Sequence, residues 1–342
     1  MHALIQGSTG MGKTLLMRKV MDMIPEGKSH IWTRITDKSL YHAGRQYEHS
    51  STAIEDWDGL SEEVQYVFRE FQSGHILRSS TTEKLPDGRM SSKEIIAYGP
   101  ISSLICTTQG AIYEDNMSRC FLTAIDESKE QSEKIVAYQN KKMRGEIDSK
   151  AEDKATHLIQ NMIHVLEPLD VVNPYAGQVY LPQEVHKIRR LNQLYLVFVQ
   201  QVAWWHQLQR PRDEQGRIIA TLEDLQMACN LLFETIVLKV DELDGSLRQF
   251  FERLKEYLTN QGQERFGRRE IRQGLKVSKS SVQRYLKDLE DLEYVRLINV
   301  NKYQGFQYKI VFWDDYQALR SKLKSHLSEQ ISKLSDPKRP NG

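Results

Sequence analysis

The sequence predicts an α/β protein in which a parallel sheet is followed by a helical region and a small domain of helices and a hairpin. Short apolar segments alternate with helical patterns through the first third of the chain, which is typical of a parallel sheet covered by helices on both faces. Two runs of alternating polar and apolar residues between 77 and 97 flank a turn sequence at 86–89, and predict a β-hairpin. The pattern is helical and charged from 129 to 166, and further helices are indicated at 186–209 and 222–239, which predicts a lid of helices beyond the sheet.

The composition is that of an ordinary globular protein, with 39% hydrophobic and 27% charged residues in a chain of 342, long enough for two or three domains. No apolar run is long enough to cross a membrane, and the first residues lack the basic-then-apolar pattern of a leader. The three cysteines, Cys106, Cys120 and Cys229, are far apart and form no metal-binding pair. This usage predicts a reducing, cytoplasmic location and argues against a zinc site or a disulfide framework.

The net charge of +1 is unevenly distributed along the chain. From residue 263 onward there are 17 Lys and Arg against 10 Asp and Glu, so the preceding part is acidic. A basic C-terminal segment indicates an anion-binding surface, most often for nucleic acid, although an ordinary solvated surface gives the same count.

A phosphate-binding loop follows the first predicted strand, 3–6, and opens the first predicted helix, 13–23. It fits the pattern G-x-x-x-x-G-K-[ST] without a mismatch, and its position between a strand and a helix disfavours a chance match. The loop N–H groups are expected to surround a phosphate, Lys13 to reach the β- and γ-phosphates, and the Thr14 hydroxyl to bind Mg²⁺. We therefore predict ATP and Mg²⁺ as cofactors, with the nucleotide held by Gly7, Ser8, Thr9, Gly10, Met11, Gly12, Lys13, Thr14 and Leu15.

A further apolar strand, 51–54, ends in two carboxylates, Glu55 and Asp56. In P-loop enzymes a strand end of this kind holds Mg²⁺ and orients the attacking water. We assign Glu55 to the metal and Asp56 to water activation. The usual order is Asp then Glu, so the two roles can also be exchanged, and a plain solvated strand end is the alternative to both.

The next predicted core strand, 102–106, leads into Thr107 and Thr108. A side chain that senses the γ-phosphate belongs at this strand end, and we assign that role to Thr108, against the alternative of an ordinary polar strand exit. Arg119 comes just before another apolar strand. It is badly placed for its own P-loop but suited to completing a neighbour's as an arginine finger, unless it is only a solvated surface residue.

The C-terminal part predicts three helices, at 247–258, 268–275 and 279–292, and two strands joined by a turn at Gly305. This order is that of a winged helix-turn-helix, whose third helix enters the major groove of DNA while the wing contacts the backbone. Winged helices also mediate protein contacts, so the surface has two potential kinds of partner. The predicted DNA contacts are Lys279, Ser281, Gln283, Arg284 and, at the wing tip, Lys302.

These patterns divide the chain into four parts. We predict an ATPase core at 1–128, a helical lid at 129–243, a winged helix-turn-helix at 244–322 entered through a linker at 241–246, and a polar C-terminal tail at 323–342.

The order of these motifs resembles an AAA+ ATPase with a pre-sensor-1 hairpin. The resemblance is carried by the P-loop, the Glu-Asp-Trp-Asp-Gly run at 55–59, the hairpin, the two threonines, and the Asn-x-Ser-Arg run at 116–119. Within that class the chain is similar to the minichromosome-maintenance (MCM)-like helicases, and more narrowly to the helicase half of the Toprim primase-helicases of bacterial mobile elements. Segments 203–210 and 219–225 are similar to the lid of that group.

The resemblance implies a hexameric ring with ATP at the subunit interfaces and DNA in the central channel. The hairpin would point into the channel, where Arg78, Lys84 and Arg89 would hold phosphates, unless these cations only discourage aggregation of the strand edge. Either Arg189 or Arg190 would be the second sensor on the lid. Because six residues precede the P-loop and no zinc-finger or Toprim motif is found, we expect a fragment or the downstream half of a split protein, with a primase module or subunit upstream.

Three functions compete at this point. The first is an ATP-driven DNA translocase or helicase acting in DNA replication, and the second is a regulatory ATPase that loads proteins or selects DNA targets without unwinding. The third is a non-enzymatic DNA-binding protein with a structural P-loop. The hairpin cations favour the first, since a switch needs no moving contact in a channel, and Lys13 with its two carboxylates disfavours the third.

Overall fold

The computed structural model describes residues 1–84, 90–108, 120–181, 188–301 and 305–334. The chain forms two compact units, one of Met1–Ile236 with Leu327–Gly342 and one of Val237–His326. The predicted core and the predicted lid up to residue 236 therefore lie in one unit. The second unit begins a few residues before the predicted boundary at 244.

The N-terminal unit begins with alternating strands and helices. In chain order they are β1 (His2–Gln6), α1 (Lys13–Asp22), β2 (Ser29–Trp32), α2 (Asp37–Tyr41), β3 (Ser50–Ile54), α3 (Glu62–Gly74), β4 (Ile76–Lys84), β5 (Met90–Tyr98), β6 (Ile101–Thr107) and β7 (Phe121–Ala124). Five strands, in the order β2-β3-β6-β1-β7, form a sheet in which every pairing is parallel. The predicted parallel sheet is confirmed.

The sheet places the strand ends of interest side by side. Strands β3 and β1 both pair with β6, so the ends of all three meet at one edge of the sheet. Beneath this edge, α1 packs on the strands through a buried apolar cluster of Ile5, Met17, Met21, Ala53 and Cys106. The loop after β1 is thus anchored on both sides, by the strand before it and by the helix after it.

Strands β4 and β5 form the predicted hairpin as a separate two-stranded antiparallel ladder. At its base, Leu77 pairs with Ala97, and both side chains are buried. The predicted turn, 86–89, lies outside the described residues. Only residues 99 and 100 separate the end of β5 from the start of β6.

The region predicted as a lid contains four helices among the described residues, which are called the lid helices below. They are α4 (Lys129–Met143), α5 (Ser149–Val165), α6 (Ile188–Trp205) and α7 (Leu222–Val240), with the short paired strands β8 (Val171–Val172) and β9 (Ile218–Ile219) between them. The sequence predicted one helical stretch over 129–166, and the structure divides it. Gly145 takes a positive φ of 72°, and the Asp148 carboxylate accepts hydrogen bonds from the N–H groups of Lys150 and Ala151 to start α5. In the part of the chain that the structure describes, no helix is long and apolar enough to span a membrane.

The C-terminal unit contains α8 (Gly245–Gln261), β10 (Arg265–Gly267), α9 (Arg268–Gly274), α10 (Lys279–Asp291), β11 (Val295–Asn301), β12 (Gly305–Ile310) and the beginning of α11 (Tyr316–Leu334). The three strands form an antiparallel sheet in the order β10-β12-β11. Strand β10 was not predicted, since three residues are too short to show a period. One core joins helices and sheet, with Phe251, Leu254, Leu286 and Tyr308 almost fully buried.

Two sequence expectations for this unit need correction. The stretch 241–246 is not an open linker, because α8 already begins at Gly245 and Asp244 caps it by accepting from the N–H groups of Ser246 and Leu247. The C-terminal helix begins at Tyr316, well before the predicted start of the tail at 323. Residues 335–342 of the predicted tail lie outside the described part of the chain.

Candidate nucleotide site

The P-loop occupies the turn between β1 and α1, the context that its motif requires. Gly10 and Gly12 have φ values of 83° and 93°, in the left-handed region that glycine adopts without strain. No atom lies within 4 Å of a Cβ added at either position, so the requirement for glycine there is conformational rather than spatial. Gly12 directly precedes the first residue of α1, so the loop N–H groups converge at the start of that helix.

The loop presents an accessible surface, as a phosphate site requires. Residues 9–12 are exposed, and so are Thr14 and Leu15 on the first turn of α1. The N–H groups and the Thr14 hydroxyl are therefore in reach of a nucleotide and of the Mg²⁺ that accompanies it. The residues present fit a nucleoside triphosphate with Mg²⁺.

Lys13 is the one buried cation of the loop, with 9% of its surface exposed. Its Nζ donates hydrogen bonds of 2.8 Å to the carbonyl oxygens of both Gly7 and Ser8, so the side chain folds back along the loop. Burial lowers the pKa of Lys13, and the nearby carboxylates of Glu127, Asp58 and Asp56 oppose this. The ammonium group must exchange its two carbonyl partners for phosphate oxygens when a nucleotide binds.

Glu55, the predicted metal ligand, follows β3 and is held by two neighbours. Its Oε1 accepts hydrogen bonds from Nε and Nη2 of Arg18, at 2.8 and 2.5 Å, and its Oε2 accepts from the Thr33 hydroxyl at 3.1 Å. Glu55 is 13% exposed in its side chain, whereas Asp56 is exposed. Arg18 occupies Oε1, so Mg²⁺ would reach Glu55 through Oε2 or after Arg18 has moved. The carboxylates of Asp58 and Asp56 act to raise the pKa of Lys13.

Asp58 is a residue that the sequence reasoning missed as a site residue. One carboxylate oxygen accepts from the Thr107 hydroxyl at 2.6 Å, and the other accepts from the N–H and the hydroxyl of Thr108, at 2.7 and 2.8 Å. The end of β3 is thereby connected to the predicted sensor Thr108 at the end of β6. The sequence feature that could have pointed to Asp58 is the acidic run that begins at Glu55. Nothing in that run, however, distinguishes Asp58 from Asp56.

Glu127 is a second residue that the sequence reasoning missed. Its Oε1 accepts a hydrogen bond of 2.5 Å from the Ser8 N–H, across 119 positions of sequence. A Cβ added at Gly7 would lie 3.1 Å from Ile125 and 3.4 Å from Glu127, so this segment packs closely on the start of the P-loop. Glu127 precedes α4 by two residues, and its carboxylate therefore connects the P-loop to the first lid helix. The sequence feature that could have pointed to Glu127 is its position shortly after β7, the strand that pairs with β1.

Replacement of Asp58 by alanine is expected to lower the turnover of ATP about 10–100-fold while changing ATP affinity little. The reason is that both threonines lose the acceptor that orients them, whereas the loop that binds phosphate is untouched. Steady-state hydrolysis and the equilibrium binding of a fluorescent ATP analogue measure the two quantities separately. Asp58→Asn should fall between wild type and Asp58→Ala, and the exposed Asp153→Ala serves as the control. Equal losses of turnover in Asp58→Ala and the control would contradict this role.

The remaining predicted site residues lie in other parts of the chain. Arg89, Arg119 and Lys302 are outside the described residues, and Lys84 is the last residue of β4. Arg78 forms an exposed cross-strand ion pair with Glu94 at 3.4 Å. Arg189 and Arg190 lie in the first turn of α6, the former exposed and the latter half-buried.

The predicted DNA contacts of the C-terminal unit lie on the first two turns of α10. Ser278 caps this helix by accepting from the Ser281 N–H at 3.1 Å, and the hydroxyls of the two serines lie 2.8 Å apart. Lys279 and Gln283 are exposed, whereas Arg284 is half-buried with its guanidinium 4.9 Å from the centre of the Tyr285 ring.

Comparison with known proteins agrees with the geometry of the N-terminal unit. A family model described as the MTBMA_p00010 P-loop domain matches residues 1–168, which contain the loop, the parallel sheet and the first two lid helices. No curated protein matches the chain. The match supports a P-loop NTPase domain over residues 1–168, a class that binds a nucleotide, typically with Mg²⁺.

Proposed function

We propose that this protein is an ATP-dependent DNA translocase or helicase that acts in DNA replication, in the manner of the MCM-like primase-helicases of mobile elements. One observation carries the proposal. The hairpin β4–β5 is inserted directly before β6, and two residues separate its second strand from the strand that ends in the Thr107–Thr108 pair. A displacement of the hairpin would therefore shift β6 and with it Thr108. Through the hydrogen bonds of Thr108 to Asp58, it would also shift the end of β3.

The nucleotide chemistry follows from the residues around the loop. The P-loop would hold the phosphates, and Lys13 would neutralise charge on the transferred phosphoryl group. Thr14 and the carboxylates after β3 would hold Mg²⁺, which would supply further neutralisation of the phosphates. Asp56 is exposed and suited to orienting water, and Thr108, fixed by Asp58, is suited to sensing the γ-phosphate.

Ring assembly belongs to the same proposal. Arg119 would act on a neighbour's nucleotide, and Arg189 or Arg190 would contact the nucleotide from the lid, as the resemblance implies. In such a ring the hairpins would face the channel, where Arg78, Lys84 and Arg89 would contact DNA phosphates. A primase module or subunit is the expected upstream partner.

The element order of the C-terminal unit supports a winged helix-turn-helix. Helices α8, α9 and α10 are followed by the β11–β12 hairpin, and β10 completes the small sheet beside β12. In this architecture α10 is the helix that enters the major groove. The unit would then position the ATPase on duplex DNA.

The test of the proposal removes two hairpin cations, in the double variant Lys84→Ala with Arg89→Ala. Hydrolysis in the absence of DNA should persist, whereas stimulation of hydrolysis by single-stranded DNA and strand displacement should be lost, since these side chains would couple channel DNA to Thr108. The matched control, Lys141→Ala with Lys142→Ala, removes two exposed charges from α4. If the hairpin variant unwinds DNA as wild type does, the translocase proposal fails and a regulatory ATPase takes its place.

A further inference from the structure

A cavity of about 230 Å³ lies between α9 and α10 in the C-terminal unit. Four of its six lining residues are cations, and none is a carboxylate. The lining consists of Arg268, Arg269 and Arg272 from α9 and Lys279, Val282 and Gln283 from α10. A concave site with this lining attracts an anion, and the guanidinium groups match the geometry of phosphate oxygens.

The charge of this cavity is not neutralised within its own stretch of sequence. Glu270 is the only acidic residue between 265 and 287, and its carboxylate accepts from the Gly267 N–H at 3.3 Å, where it caps α9. The same stretch contains eight basic residues: Arg265, Arg268, Arg269, Arg272, Lys276, Lys279, Arg284 and Lys287. Such a concentration of one sign of charge raises the local concentration of polyanions.

Arg268 forms a fixed wall of the cavity. Its Nε donates to the Tyr308 hydroxyl at 2.8 Å, its Nη2 donates to the same oxygen, and its guanidinium lies 4.2 Å from the centre of the Phe306 ring. It also lines a second, larger depression that reaches Gly305 at the start of β12. Arg269 and Arg272, by contrast, are exposed and lie three residues apart, on neighbouring positions of one helical face.

Arg284, which the sequence predicted as a DNA contact, is placed differently. Burial raises the pKa of the Asp244 and Asp288 carboxyls, and the charge of Arg284 opposes both shifts. Arg284 therefore lies close to two carboxylates and is half-buried, so part of its charge is balanced within the unit. Among the residues that the structure describes, Arg269, Arg272 and Lys279 form no ion pair with a carboxylate.

We infer that this cavity binds a backbone phosphate of duplex DNA, with Arg269, Arg272 and Lys279 as the donors and Arg268 as the residue that positions the wall. The inference rests on the proposed DNA-binding role of this unit and assigns it to residues of α9 that the sequence reasoning did not select. Exposed arginines on one helix and a lysine on the next can approach one phosphate from two sides. Gln283, at the rim of the cavity, would contact the neighbouring sugar or base edge.

The test is the double variant Arg269→Ala with Arg272→Ala in the full chain. Its affinity for a short duplex of mixed sequence is measured without nucleotide over a series of salt concentrations. We expect affinity at low salt to fall at least about tenfold, and the slope of log affinity against log salt to decrease by about one unit, because both arginines contact the same phosphate. Arg269→Lys with Arg272→Lys should retain the slope but recover only part of the affinity, since lysine keeps the charge without the bidentate fork.

The matched control is Arg265→Ala with Arg296→Ala, which removes the same charge from exposed strand positions that do not line the cavity. Equal losses in both double variants, or an unchanged slope in Arg269→Ala with Arg272→Ala, would overturn the inference. The inference would also be overturned if the wild-type chain bound inorganic phosphate or poly-glutamate but not the duplex. Either result would indicate a site for a small anion or an acidic protein. Wild-type ATP hydrolysis and strand displacement, measured in parallel, report on the proposed function and are independent of this result.

Discussion

Replacement of Lys13 by alanine is expected to lower ATP hydrolysis by at least about a hundredfold, the largest loss of activity that the structure predicts. The ammonium group is held within the P-loop by the carbonyl oxygens of Gly7 and Ser8, where it can transfer to phosphate oxygens without a change of backbone. In the alanine variant, the charge that develops on the transferred phosphoryl group would lose the cation that the loop itself provides.

The measurement is steady-state phosphate release, accompanied by a thermal melt. The melt is needed because alanine leaves the two carbonyl oxygens without Nζ, at a cost of up to about 1–3 kcal/mol if water does not replace it. Lys19→Ala is the matched control, since Lys19 lies on the same helix in an exposed ion pair with Glu152 and contacts no part of the loop. Hydrolysis at the wild-type rate in a folded Lys13→Ala protein would exclude this P-loop as the catalytic site.

Replacement of Arg248 by alanine is expected to cost about 3–5 kcal/mol of the free energy of unfolding of the C-terminal unit. The Arg248 side chain is 4% exposed. Its Nε and Nη2 donate to the two carboxylate oxygens of Asp241 at 2.6 and 2.5 Å, and its Nη1 lies 2.6 Å from Asp314. Although burial acts to lower its pKa, these carboxylates raise the pKa of Arg248 well above its ordinary value. Alanine would leave the buried carboxylate of Asp241 without its cation.

Denaturant unfolding, followed by hydrogen exchange of peptides from α8 to β12, would locate the loss in this unit. Arg248→Lys should be intermediate, because lysine keeps the charge but cannot bond both oxygens of Asp241 through a planar fork. The exposed Arg296→Ala is the control and should stay within about 0.5 kcal/mol of wild type. A loss below about 1 kcal/mol for Arg248→Ala would show that the cluster is not an essential part of this core.

Much of the fold was predictable because its signals are local. The P-loop motif lies within eight consecutive residues, and the strand and helix around it follow from apolar spacing over a few turns. The hairpin strands and the three helices of the C-terminal unit were also predicted near their observed bounds. Elements of two to five residues, such as α2, β8 and β10, were missed because so short a segment shows no period. The break between α4 and α5 was missed because both helices continue the same charged pattern.

The partners of the site residues depended on the tertiary structure. The sequence determined that a phosphate-binding loop and an acidic strand end exist, since each is set by the order of adjacent residues. It did not determine that Glu55 pairs with Arg18, that Asp58 holds Thr108, or that Glu127 bonds the Ser8 N–H, contacts that span 37, 50 and 119 positions. The three α9 arginines likewise resemble any solvated basic run until α10 is packed beside them. The charge and the hydrogen-bonding groups of a residue can be read from its type alone. Its bonding partner is determined only when parallel strands and packed helices bring distant segments of the chain together.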